Sequence, residues 1–155
     1  MTQIPQHQFY EQVNSLHITD SNIEEIRTVL NIYDSDNIKQ LYVNNNNLSQ
    51  LCELPVSLTK LNCANNKLTR MPDLPITLRQ LYMYGNQIKT FYNLPPYLEF
   101  MYIDIYENTV IESLPETLCG FHYQPRPKHD AYRKSFIENQ RFETKKELVK
   151  LLKKA

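Results

Sequence analysis

The chain has 155 residues, with 17 Lys+Arg balancing 17 Asp+Glu, a size and charge that suit one domain and give no overall pull toward a polyanion. Hydrophobic residues make up 41%, with no Trp, two Gly and 11 Tyr against 6 Phe, so a core is available and many of the rings carry a polar handle. No stretch reaches the roughly 18 apolar residues of a membrane span, and the polar start, Met1 to His7, lacks the apolar segment of a secretory signal.

Residues 1–12 are read as an N-terminal cap, 13–125 as repeats and 126–155 as a helical C-terminal cap, all within one domain. Val13, Leu16, Ile18, Ile23 and Ile26 open a first, longer coil, in which Ser21 to Leu30 carries helix-start signals. From Ile38 onward the chain is self-similar with a period of 20 residues. Leading apolar residues fall at Ile38, Leu58, Leu78, Leu98 and Leu118. They are followed by Leu41, Leu61, Leu81, Met101 and Phe121, then by Val43, Cys63, Met83, Ile103 and Tyr123. Such an L-x-x-L-x-L core predicts one short strand per coil, and Leu48, Leu68, Ile88, then Leu51, Met71, Phe91, Ile111, then Leu54, Leu74, Leu94, Leu114 complete the inward set. One coil cannot bury its own edge; five to six of them stacked can.

Asn46, Asn66 and Asn86 stand where the chain leaves the strand, and their amides are expected to satisfy turn backbone in their own and the neighbouring coil rather than to hold a ligand. The fifth coil has Tyr106 in that place and Asn108 in the next leucine's place, so an irregular turn is expected there. Pro55, Pro75, Pro95 and Pro115 recur inside L-P-x-x-L; proline fixes φ and lacks an N–H, which predicts an extended, polyproline-like convex side.

This pattern resembles the bacterial 20-residue class of leucine-rich repeat, most clearly from Gln50 to Leu118 and in outline over roughly residues 13 to 123. That class occurs in type III secretion effectors of the YopM kind and in the invasion-plasmid-antigen ubiquitin ligases. The resemblance implies an α/β solenoid, with short parallel strands on the concave face, a mostly extended convex side and a C-terminal cap helix, that binds a protein partner. The ligase branch adds a helical domain with a catalytic Cys-x-Asp motif, which has no match here: Cys52 precedes Glu-Leu, Cys63 precedes Ala-Asn and Cys119 precedes Gly-Phe. Ligase activity is therefore not carried over, and no enzyme activity is expected.

Other chemistry finds little support in the residue types. The three cysteines are odd in number and outside paired spacing, which argues against a disulfide framework and for a reducing, cytoplasmic setting, the host cytoplasm if the chain is a pathogen or viral protein. Cys119, His122 and His129 lack the fourth ligand and the paired spacing of structural zinc, so no metal is expected. Gly85 and Gly120 build no phosphate loop, so neither a cofactor nor a small-molecule substrate is expected.

The residues between the inward ones should form the concave surface, since side chains alternate along a strand. The central column is His17, Tyr42, Asn62, Tyr82, Tyr102 and His122, flanked by Ser15, Gln40, Lys60, Gln80 and Phe100 on one side and by Thr19, Asn44, Ala64, Tyr84, Asp104 and Gln124 on the other. From these, Tyr42, Asn44, Lys60, Asn62, Tyr82, Tyr84, Phe100, Tyr102, Asp104 and His122 are the candidate partner-binding residues; tyrosine is enriched at binding hot spots, though it also suits a merely solvated sheet face. Lys60 and Asp104 together give no preference of sign.

Beyond Pro125-Arg-Pro127 the composition changes: charge swings from 7 Lys+Arg against 13 Asp+Glu up to Pro125 to 10 against 4 after it. Thr144-Lys-Lys-Glu147 is a capping box, and Leu148, Leu151 and Leu152 fall on one helical face, with Tyr132, Phe136, Ile137 and Phe142 ahead of them. The segment reads as a cap for the last coil. Its lysines, Lys145, Lys146, Lys150, Lys153 and Lys154, leave open binding to nucleic acid or an anionic membrane, and an adaptor that recruits a partner enzyme is the other alternative.

Overall fold

The computed structural model describes residues 14–20, 37–106 and 109–125. The first strand, β1 (Ser15–His17), is followed by β2 (Gln40–Tyr42), β3 (Lys60–Asn62), β4 (Gln80–Tyr82), β5 (Thr90–Phe91), β6 (Phe100–Ile105), β7 (Val110–Ile111) and β8 (Gly120–Pro125). Six of these form one parallel sheet in the order β1-β2-β3-β4-β6-β8, while β5 and β7 pair in parallel as a second, two-stranded sheet. The arrangement is a parallel-strand solenoid. Residues 1–13, 21–36 and 126–155 lie outside the described residues, and with them the N-terminal cap, the helix-start segment of the first coil and the C-terminal cap helix. No α-helix occurs among the described residues, which form a β-solenoid, and none of their segments is a helix long and apolar enough to cross a membrane.

Register follows the 20-residue period without a slip: Leu41 pairs with Leu61, Leu61 with Leu81, Leu81 with Met101 and Met101 with Phe121. Each strand is entered the same way, with one carbonyl of the preceding coil accepting two successive N–H groups; Lys39 O takes those of Thr59 and Lys60 (2.8 and 3.0 Å), and Thr59 O those of Arg79 and Gln80 (2.9 and 3.0 Å). This shared acceptor fixes where every strand begins, so the leucines behind it stack in file.

The core runs along the stack through Ile38, Leu41, Leu48, Leu58, Leu61, Leu68, Leu78, Leu81 and Leu98, all fully buried, and closes on Phe91, Met101 and Ile103 toward the last coils. Cys63 takes a strand position in this core, and burial pushes its thiol up to about 12.

The convex return is extended but not uniformly polyproline-like, because each proline opens a reverse turn instead. The carbonyls of Pro55, Pro75, Pro95 and Pro115 accept the N–H groups of Leu58, Leu78, Leu98 and Leu118, three residues on, at 3.0–3.2 Å. The residue before that leucine adds a hydroxyl: Ser57 donates to Ile38 O (2.9 Å), Thr77 to Leu58 O (2.9 Å) and Thr117 to Leu98 O (2.8 Å). The turn hydroxyls thus tie each coil to the one before, except in the coil where Tyr97 stands in that place and lies exposed.

Leu81 tests the register. Replacement by Ala removes a fully buried side chain between two coils and is expected to cost about 2–5 kcal/mol of unfolding free energy. Chemical denaturation reads the loss, and a midpoint equal to that of the unsubstituted chain would show that Leu81 is not between coils.

Candidate partner-binding face

At the exits of β2, β3 and β4 an asparagine holds the turn. Asn66 Nδ2 donates to Cys63 O in its own coil (3.0 Å) and to Val43 O in the preceding coil (2.9 Å), while its Oδ1 accepts the Leu48 N–H (3.0 Å). Asn86 repeats the set on Met83 O, Cys63 O and Leu68 N, and Asn46 donates to Val43 O and Ile18 O. The residue before each takes positive φ, at Asn45, Asn65 and Gly85, where asparagine and glycine are tolerated. Gly85 has a further reason: a Cβ there would lie 2.0 Å from Asn65 Oδ1.

Tyr106 departs from this pattern. Its hydroxyl reaches back to donate to Asn86 O, its own N–H bonds to Thr109 Oγ1 (2.7 Å), and the buried Thr109 closes the turn with its N–H on Tyr106 O (3.0 Å). Asp104 joins this coil to the preceding turn, its Oδ2 accepting the N–H groups of Gly85 (2.6 Å) and Asn86 (3.1 Å) where Ala64 O and Tyr84 O accept the N–H groups of Asn45 and Asn65 in earlier coils.

Asp104 therefore corrects the sequence reading: it was expected on the outward surface and is 3% exposed, a carboxylate committed to turn amides. Ala64 in the same column is buried as well. Asp104 lies within β6, and its carboxylate turns to the N–H groups of the preceding coil's turn. β2, β3 and β4 are three residues long, so at Asn44, Ala64 and Tyr84 the position after the second inward residue already lies in the turn, and simple alternation no longer predicts which way it faces. Asn44 and Tyr84 in that column are half-buried.

The central column forms as expected, with His17 beside Tyr42, Tyr42 beside Asn62, Asn62 beside Tyr82, Tyr82 beside Tyr102 and Tyr102 beside His122. Its rings touch. His17 stacks on Tyr42 at 4.1 Å with 11° between planes, Tyr82 meets Phe100 at 5.1 Å, and Phe100 meets His122 at 5.1 Å. Tyr84 packs on Tyr102 at 4.4 Å, and Gln124 Nε2 donates to the Tyr102 hydroxyl (2.9 Å).

Where the column holds Asn62 instead of a ring, the side-chain oxygen bends to accept the Ala64 N–H (3.2 Å), and Lys60 takes over the space. Its Nζ stands 5.2 Å from the Tyr42 centroid and 5.4 Å from that of Tyr82. These rings are two strand spacings apart, roughly 9.6 Å, so the ammonium sits between them. At the other end, Gly120 makes room for Phe100, since a Cβ on Gly120 would meet the ring at 2.4 Å. Sequence reasoning had passed over both Gly120 and the lysine bridge, because each depends on which residues face each other across strands.

Neither the protein-family models nor the sequences of curated proteins give a match. Solved structures do. The leucine-rich-repeat domain of a Shigella effector is 29% identical with a TM-score of 0.62, over 75% of this chain and 51% of that one. The repeat is of the bacterial-effector leucine-rich type. YopM from Yersinia enterocolitica WA-314 agrees, at 29% identity and a TM-score of 0.53 over 59% of this chain. The chain spans about half the length of the first (51%) and about a fifth of the second (21%).

The leucine-rich repeat leaves three free thiols in different environments: Cys63 buried, Cys52 half-buried and Cys119 exposed, the last with its thiol donating to Glu99 O (3.3 Å). A maleimide at neutral pH is expected to label Cys119 first and Cys63 only on unfolding, because the buried thiol is both shielded and hard to ionise. Mass spectrometry of the folded protein reads the order; early modification of Cys63 would contradict its place in the core.

Asp104→Ala is expected to lower stability by about 1–3 kcal/mol, since two turn amides lose a charged acceptor. A loss of partner binding with unchanged thermal stability would instead return Asp104 to the surface.

Proposed function

We propose that this leucine-rich-repeat protein is a non-catalytic module that holds a partner protein on its concave face. The observation that carries the reading is the continuous line of side chains across all six strands of the large sheet, from His17 through Tyr42, Lys60, Tyr82 and Phe100 to His122. These rings project away from the core that the leucines fill, and tyrosines laid side by side offer rigid contact area with a polar tip, a composition typical of binding hot spots. The resemblance to the effector repeat domains supports protein interaction as the role of the fold.

The partner-binding residues proposed are Tyr42, Asn44, Lys60, Asn62, Tyr82, Tyr84, Phe100, Tyr102 and His122; Asp104 serves the turn and is left out. Three free thiols support action in a reducing compartment, proposed to be the cytoplasm.

Affinity capture from a eukaryotic cytosolic extract tests the reading. Replacing Tyr82 and Tyr102 together by Ala is expected to cost about 2 kcal/mol or more of binding to the captured protein. Stability should fall by no more than about 1 kcal/mol per ring, the scale of the lost ring contacts. A double variant that folds and binds the same partner with unchanged affinity would remove the concave face from the reading. A partner lost steeply with salt in both proteins would point to a polyanion held elsewhere on the chain.

A further inference from the structure

Lys60 is the only Lys or Arg, and with Asp104 buried the only side chain of fixed charge, that the concave columns present among the described residues. The nearby carboxylates are engaged: Asp104 holds the amides of Gly85 and Asn86, and Glu99 pairs with Arg79 at 2.7 Å on the strand-entry side. The neighbours of Lys60 in register, Gln40 and Gln80, are neutral, as is Asn62 two residues on. The face thus carries a positive charge at its centre, fixed in position by two tyrosine rings and balanced by no acid among the described residues.

That charge constrains what can cover the face. A protein surface laid over Tyr42 and Tyr82 removes water from the ammonium between them, and a desolvated ammonium is costly unless an anion replaces the water. Two π faces compensate only part of this, because a cation–π contact is weaker than the hydration it replaces. The remainder has to come from the partner. A nucleic acid fits poorly, because its phosphates call for several cations along the track and this track has one of fixed charge.

We propose that the concave face recognises an acidic segment of its partner, an extended stretch of chain whose carboxylate seats on Lys60 between Tyr42 and Tyr82, with apolar residues on either side packing against the tyrosines. The proposal rests on the concave-face reading above and adds to it the chemistry of the partner. The neutral amides of Gln40, Asn62 and Gln80 surround the seat with hydrogen-bonding groups that accept a carboxylate without competing with it for charge.

Six strands at about 4.8 Å spacing make a face about 24 Å across, which an extended peptide crosses in about seven residues. The test pans a display library of random peptides about ten residues long against the full chain, against Lys60→Met, Lys60→Glu and the Tyr82→Ala, Tyr102→Ala double variant, each first shown to unfold cooperatively and to be folded at the panning temperature. The expected result is enrichment of peptides with Asp or Glu at one fixed place. Synthesised, such a peptide should bind Lys60→Met at least about tenfold more weakly and the double variant weakly or not at all, while Lys60→Glu should enrich Lys or Arg at the same place.

Peptides that depend on Tyr82 and Tyr102 but show no acidic preference would overturn the acidic-segment proposal and leave the concave face as the binding surface. Enrichment indifferent to both tyrosines would overturn both readings. A library that yields nothing above background counts against a linear acidic segment, and the protein captured from extract then tells whether the face binds a folded surface instead.

Discussion

A side-chain amide that serves two coils at once is the contact on which this solenoid depends. Each time the chain leaves a strand it buries turn carbonyls and N–H groups that no strand partner can reach, and a buried backbone group without a partner costs as much as a lost hydrogen bond. Asn66 answers four of them, three carbonyls and one N–H, in its own coil and the preceding one. Because the same geometry recurs at Asn46 and Asn86, hydrogen bonds of similar length set the distance from one coil to the next. The leucines then fill a space of constant width. Where Tyr106 replaces the asparagine, the turn is held by a hydroxyl, a threonine and a carboxylate in place of one amide.

Much of this could be read from the residues, and the limits of the reading have physical causes. The period placed Leu41, Leu61, Leu81 and Met101 in one file and Tyr82 beside Tyr102, because a strand's side chains alternate and parallel strands of equal spacing stay in register. Asp104 was misplaced because alternation gives the side of a strand and not what lies against it: inside β6 its carboxylate is taken up by the N–H groups of Gly85 and Asn86 in the preceding coil's turn. Nor did the proline signal decide the convex side: a fixed φ suits a polyproline stretch and the opening of a turn equally, and only the N–H of Leu58 folding back on Pro55 O distinguishes them. The hydroxyls of Ser57, Thr77 and Thr117 were overlooked because polar turn residues look like solvent-facing ones until the neighbouring coil is in place.

The concave face is assembled from unlike parts that compensate for one another. Asn62 interrupts a column of rings, and Lys60 spans the interruption from the next column. Gly120 gives up its side chain and Phe100 leans into the space, which brings that ring within reach of both Tyr82 and His122. Neither arrangement contributes to the leucine core. The face is shaped by contacts between its own side chains, laid over a backbone that the asparagines and leucines have already determined.

That separation of duties bears on how such a surface changes over generations. In the coils of Asn66 and Asn86 the inward leucines and the turn asparagine meet the same neighbours as in the coil before, so such a coil copied or lost as a unit of twenty codons joins its new neighbours through contacts they already make. The outward residues meet no such requirement. A lineage can therefore lengthen, shorten or rewrite the surface while the scaffold underneath stays the same, and Tyr42, Tyr82 and Tyr102, which stand outside the leucine core, are the positions where selection by a changing partner leaves its record first.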